Sequence, residues 1–127
     1  MKGDFEVCVK TQFSAAHFLR GYHGDCAGLH GHNWIIEVSV RCGTLSETGI
    51  GIDFRDVKLA AGEVLKDLDH SNLNDLPVFK DMNPTSENIA RFLYKELCEK
   101  INSDNAKVSR VTVCETPASQ ASYWEEV

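Results

Sequence analysis

From Phe5 to Ala16, "FEVCVKTQFSAA", side chains alternate at period two: Phe5, Val7, Val9, Phe13 and Ala15 fall on one face, with Lys10, Gln12 and Ser14 opposite. Only a strand with one buried face accommodates that pattern. A second run from His32 to about Cys42 repeats it, with Trp34, Ile36, Val38 and Val40 against Asn33, Glu37, Ser39 and Arg41. Two half-buried strands joined by the loop "LRGYHGDCAGLHG" and closed by the turn-rich "CGTLSETGIG" therefore open the fold. His17 continues the apolar parity of the first strand, and His30 and His32 share that of the second.

The periodicity then lengthens. In "DFRDVKLAAGEVLKDL", Val57, Ala60, Ala61, Val64, Leu65 and Leu68 form one helical stripe, with Asp53 or Asp56 as the cap. Pro84 and a Thr85 or Ser86 cap announce a second helix carrying Ile89, Leu93, Leu97 and Ile101, with Glu87 in its first turn, and "NSDNA" ends it. Strand periodicity returns over residues 107–116, and "SYWEEV" reads as a short terminal strand. The order β-β-α-α-β-β in one domain spanning residues 1–127 predicts an α+β fold, a four-stranded antiparallel sheet with two helices on one face. Such a sheet keeps open edges, which oligomerisation into a barrel would close.

Thirteen basic and nineteen acidic side chains leave a net charge of −6, and no Lys/Arg stripe relieves it, so a nucleic-acid partner is not expected. No apolar run approaches membrane-spanning length, and the charged start "MKGDFEVCVK" does not resemble a secretory signal. The expectation is a cytoplasmic protein, mature as written, with no membrane partner. Five irregularly spaced cysteines suit a reducing compartment. Cys8, Cys42, Cys98 and Cys114 lie in strand-like or helix-like runs, where core packing is the expectation; Cys26 alone sits in a glycine-rich loop.

That loop carries the chemistry. His30 and His32, two residues apart in a strand, can present two imidazoles to one ion, and His17 at the neighbouring strand's end can supply a third. Three neutral nitrogens suit zinc; the alternative is solvated or hydrogen-bonded strand-end histidines, which is also the reading for His23. If Cys26 completes the tetrahedron the site is structural, and if it stands aside the fourth position is free for substrate and the thiol can take a proton; spacing leaves both open. Asp69 and His70 adjoin at a helix end, as an oriented imidazole or as a simple cap. Glu115 follows the parity of Val111 and Val113, so its carboxylate needs a partner: a guanidine-like heterocycle or a strand-end salt bridge.

"FSAAH", "CAGLHGHNW", "LDHSNLN", "NPTSEN" and "ETPASQASYW" occur in the order, and at about the separations, of the 6-pyruvoyltetrahydropterin synthase and 6-carboxy-tetrahydropterin synthase family, which the chain resembles through nearly its whole length. The resemblance implies a tunnelling fold, in which three subunits close a barrel and two trimers stack into a homohexamer with active sites between subunits. It further implies zinc on His17, His30 and His32, Cys26 as proton acceptor, Asp69 and His70 as its relay, Glu115 as pterin anchor often counted with that relay, and Glu87 as a second pterin contact. The implied substrate is 7,8-dihydroneopterin triphosphate. One branch of the family stops at the 6-pyruvoyl product; the other releases acetaldehyde and leaves 6-carboxy-5,6,7,8-tetrahydropterin, on the route to queuosine. The short chain and "C-x-x-L-H-G-H" read closer to the carboxy branch. A variant acting on dihydroneopterin, with glutamate near the cysteine position, is disfavoured because Ala27 follows Cys26. Rivals from other classes are a zinc hydrolase, for which no H-E-x-x-H helix is present, and a non-catalytic zinc-stabilised binding module. Lys10, Arg20, Arg41, Lys107 and Arg110 are the candidates for holding triphosphate.

Overall fold

The computed structural model describes residues 3–24 and 27–126. Strands β1 (Phe5–His17) and β2 (His30–Cys42) form an antiparallel pair in unbroken register from Phe5 opposite Cys42 to His17 opposite His30. Helix α1 (Phe54–Leu65), the short strand β3 (Ser71–Asn72), helix α2 (Ser86–Ile101), and strands β4 (Ala106–Thr116) and β5 (Ser119–Tyr123) complete the order. The sheet runs β3-β1-β2-β4-β5, with every pairing antiparallel except β3 on β1.

The periodicities land as the chain dictates. Phe13, Trp34, Ile36, Val38 and Val40 are buried on the face covered by the helices, together with Val57, Ala61, Ile89, Leu93 and Leu97 from α1 and α2. Asp53 caps α1 by accepting from the Arg55 amide, and the Thr85 hydroxyl caps α2 by accepting from the Asn88 amide. At the other end of α2, Asn102 turns the chain into β4, its Oδ1 accepting from Val108 N at 2.8 Å. Among the described residues, no helix is long and apolar enough to cross a membrane.

Four details differ from the sequence reading. The sheet has a fifth strand, β3, only two residues long and anchored where His70 N donates to Ser14 O at 2.6 Å. No periodicity can register in two residues. The terminal strand is Ser119–Tyr123 rather than "SYWEEV", because Pro117 and Ala118 make a tight turn that starts pairing earlier. Cys8 is exposed, since its even parity puts it on the face away from the helices; Cys114 shares that face and is buried, its thiol beside Glu37 and Gln120. Finally, Glu115 sits where the β4–β5 register shifts between Cys114 and Thr116, a bulge that the simple parity count missed.

Candidate functional site

The uninterrupted β1–β2 register decides the geometry at the strand ends. His17 lies directly opposite His30, and His32 lies opposite Ala15, one diagonal step from His17 on the same face. The three rings gather edge to face, with centroids 4.6 Å apart for His17–His30, 4.8 Å for His30–His32 and 5.4 Å for His17–His32. Trp34 forms the floor, its ring 4.9 Å from His17 and stacked on Phe13. The β4 bulge aims Glu115 at the same point, its Oε1 2.9 Å from His32 Nε2. One ligand atom from each of His17, His30, His32 and Glu115 lies within 4.8 Å of every other.

Hydrogen bonds fix which nitrogen faces inward. His17 Nδ1 donates to Pro84 O and His30 Nδ1 donates to Gly28 O, each at 2.7 Å. A nitrogen facing a carbonyl at that distance must carry the proton, so in each neutral ring Nε2 is left with a lone pair. Those two Nε2 atoms are 3.0 Å apart. Their lone pairs repel unless a proton or a cation stands between them, and burial pushes the His17 imidazole below its usual pKa, with His30 and His32 adding to the effect against the opposing Pro84 and Glu115 interactions. His32 Nε2 is also buried without a well-aligned hydrogen bond: its contact with Glu115 is close, but the geometry is not that of a donor pointing at an acceptor. Orphaned nitrogens converging with a carboxylate fit a divalent cation. Three imidazoles and a carboxylate are a donor set that suits zinc, whose tetrahedral ligands stand about 3.4 Å from one another.

The Asp69–His70 pair stands apart from that cluster. Asp69 Oδ1 accepts from Ser14 N at 2.9 Å and its Oδ2 meets His70 Nδ1 at 3.0 Å. The Ser14 amide holds the Asp69 carboxyl below the usual carboxylate range, opposed by desolvation and assisted by the His70 ring. His70 has φ 59° and an exposed ring. It borders a shallow groove shared with His32, Asn33, Gly31 and Ser14. The arrangement presents an oriented imidazole to solvent, which can exchange a proton with a neighbouring group.

Of the remaining expectations, Cys26 lies outside the described residues. Glu87 is exposed in the first turn of α2 and does not belong to the His/Glu cluster; His23 is exposed. Arg41, Lys107 and Arg110 line a cleft with Asp4, Glu6 and Trp124, where the Arg110 guanidinium covers the Trp124 ring at 4.5 Å. Arg20 is instead engaged with backbone carbonyls, Nη1 donating to Phe79 O at 2.9 Å. Three partners escape the sequence reading. The Pro84 and Gly28 carbonyls are backbone groups and carry no residue signature, and Ser86 Oγ, which donates to Glu115 Oε2 at 3.4 Å, looked like a helix cap.

A family model described as 6-pyruvoyl tetrahydropterin synthase matches residues 6–126. A candidate 6-carboxy-5,6,7,8-tetrahydropterin synthase of Archaeoglobus fulgidus is 38% identical over 91% of each chain. The 6-carboxy-5,6,7,8-tetrahydropterin synthase of a Synechocystis strain is 37% identical over 93% of this chain and 92% of its own. The structure of the Caenorhabditis elegans 6-pyruvoyl tetrahydropterin synthase superposes with a TM-score of 0.86 at 29% identity, covering 98% of this chain and 97% of the other.

Proposed function

The chain belongs to the 6-pyruvoyl tetrahydropterin synthase family, and on that premise we propose that it is a zinc-dependent 6-carboxy-5,6,7,8-tetrahydropterin synthase. It converts 7,8-dihydroneopterin triphosphate and one water to 6-carboxy-5,6,7,8-tetrahydropterin, acetaldehyde and triphosphate, in the cytoplasm and on the route to queuosine. The observation that carries this reading is the convergence of His17 Nε2 and His30 Nε2 at 3.0 Å beside His32 and Glu115. The Archaeoglobus and Synechocystis relatives support the carboxy branch over the pyruvoyl one.

In this reading His17, His30 and His32 hold the ion, which supplies Lewis acidity to the oxygens of the substrate's side chain. Everything else falls to the protein. Glu115 pairs with the N–H and amino edge of the pterin ring, the partner its strand-end position asks for, and the Ser86 hydroxyl steadies its other oxygen. Cys26 accepts the proton from the side-chain carbon as triphosphate departs, and returns it to the ring system on tautomerisation. Asp69 orients His70, which exchanges that proton with the thiol, and Glu87 is a peripheral pterin contact. The subunits assemble as a hexamer, two stacked trimeric barrels, consistent with β5 at one side of the sheet and the Phe5–Phe13 stretch of β1, beyond the reach of β3, at the other.

The test is mass analysis of the products formed from 7,8-dihydroneopterin triphosphate by zinc-loaded protein. Acetaldehyde with the 6-carboxy compound is the expected result. A stable 6-pyruvoyl product would transfer the chain to the other branch of the family, and binding of pterin without turnover would make it a non-catalytic module.

A further inference from the structure

We propose that Asn83 and Arg20 are positioning residues for the metal centre: they fix the Pro84 carbonyl against His17 Nδ1 and so keep the His17 Nε2 lone pair directed at the ion. The inference rests on the metal reading above.

The residues just past β1 are pinned by two asparagine side chains, each acting as a strand neighbour would. Asn74 Oδ1 accepts from Phe18 N at 2.9 Å while its Nδ2 donates to Phe18 O at 3.0 Å. Two residues on, Asn83 repeats the pattern at Arg20, its Oδ1 accepting from Arg20 N at 2.8 Å and its Nδ2 donating to Arg20 O at 2.9 Å. The Arg20 guanidinium then reaches back across the same loop, Nη1 donating to Phe79 O at 2.9 Å and more weakly to Met82 O at 3.5 Å, and Nη2 to Asn74 O at 3.4 Å. A planar fork with several donors suits that multiple capture, and a lysine would not reproduce it. From the far side, Asn88 Nδ2 on α2 donates to Asn83 O at 2.9 Å.

Asn83 is thus held by Arg20 through its side chain and by α2 through its carbonyl, and the next carbonyl along the chain, Pro84 O, is the one that receives His17 Nδ1–H. That hydrogen bond selects the tautomer. An imidazole released from it can place its proton on Nε2, which then points an N–H where a lone pair is needed. His17 is almost fully buried against Trp34, with no water-facing side from which a substitute acceptor could come. With contacts to three carbonyls, Arg20 is a strap on this loop.

Asn83→Ala removes both bonds to Arg20, and Asn83→Asp keeps the acceptor while losing the donor. Zinc affinity by chelator competition, the visible spectrum of cobalt-substituted protein and thermal unfolding of the metal-free form are compared, with Val40→Ala at the far end of β2 as a control for lost stability alone. Asn83→Ala is expected to bind zinc roughly 10- to 100-fold more weakly with a shifted cobalt spectrum, Asn83→Asp to recover part of the affinity, and Val40→Ala to bind as the parent does. Unchanged affinity and spectrum in Asn83→Ala would overturn the inference, as would an equal loss in Val40→Ala. A parent protein that binds no zinc would instead remove the metal reading, and this inference with it.

Discussion

His17 and His30 face one another across the β1–β2 ladder with Nε2 atoms 3.0 Å apart, although each ring's Nδ1 is tied 2.7 Å from a backbone carbonyl. Two lone pairs that close in a part-buried setting repel one another, and an ion between them would turn that repulsion into attraction. An ion held there would couple metal binding to folding through these rings.

Zinc should therefore raise the thermal stability of the parent protein, by about 4 kcal/mol at a free concentration a thousand times the dissociation constant. His30→Ala should abolish that response and turnover together. Cys26→Ala should keep the response and lose only turnover. Calorimetry with and without zinc, alongside activity, separates the three; a Cys26→Ala protein that loses zinc would make the sulfur a ligand.

Glu115 sits within reach of the histidines, yet its position on the β4 bulge also suits a substrate anchor. Glu115→Gln keeps the shape but loses the charge and one acceptor, weakening a charge-assisted pair by about 1–1.5 kcal/mol. The expected outcome is a KM raised roughly 10-fold, with zinc content unchanged because three imidazoles remain. Loss of zinc with an unaltered KM would show that the carboxylate serves the ion instead.

Asp69 lends itself to a pH test. Its folded pKa is depressed, chiefly by the Ser14 amide and then by His70, so its stabilising contribution is present above the unfolded value of about 3.9 and is lost as pH falls through the folded one. Thermal unfolding of the parent and of Asp69→Asn from neutral pH to pH 2 should show a gap that is full above about pH 4 and closes below it. A gap that stays constant, or widens in acid, contradicts the assignment.

The sequence made the sheet and the triad legible because both rest on period two. Once β1 and β2 are strands in register, His17, His30 and His32 share a face with Phe13 and Trp34, and nothing further is needed to bring them together. Glu115 stands out in the sequence as a carboxylate where an apolar residue belongs, although the bulge that re-aims it leaves no trace in the pattern. What stayed hidden depends on backbone groups and long-range loops. The Pro84 and Gly28 carbonyls have no side-chain signature, β3 is too short for periodicity, and the Asn74 and Asn83 clamps join residues 56 and 63 positions apart. Arg20 reads in the sequence as one of five candidate cations for triphosphate, and nothing there marks its bonds to distant backbone carbonyls.

His70 is the described non-glycine residue with positive φ, at 59°, where the chain leaves α1 and turns onto the edge of β1. A side chain with a Cβ in that region costs about 1–2 kcal/mol, and glycine avoids the cost although it loses more entropy on folding. Retaining histidine there makes sense if the imidazole is needed where the turn presents it, which is the pattern of local strain at a working site. Two variants that both delete the ring expose the backbone contribution by their difference: His70→Gly should be more stable than His70→Ala by about 1 kcal/mol, the reverse of their order in a helix, while both lose turnover. Equal stability of the two, measured by denaturant unfolding, would mean the turn relaxes around alanine and the strain is absent; full turnover in His70→Gly would take the imidazole out of the reaction.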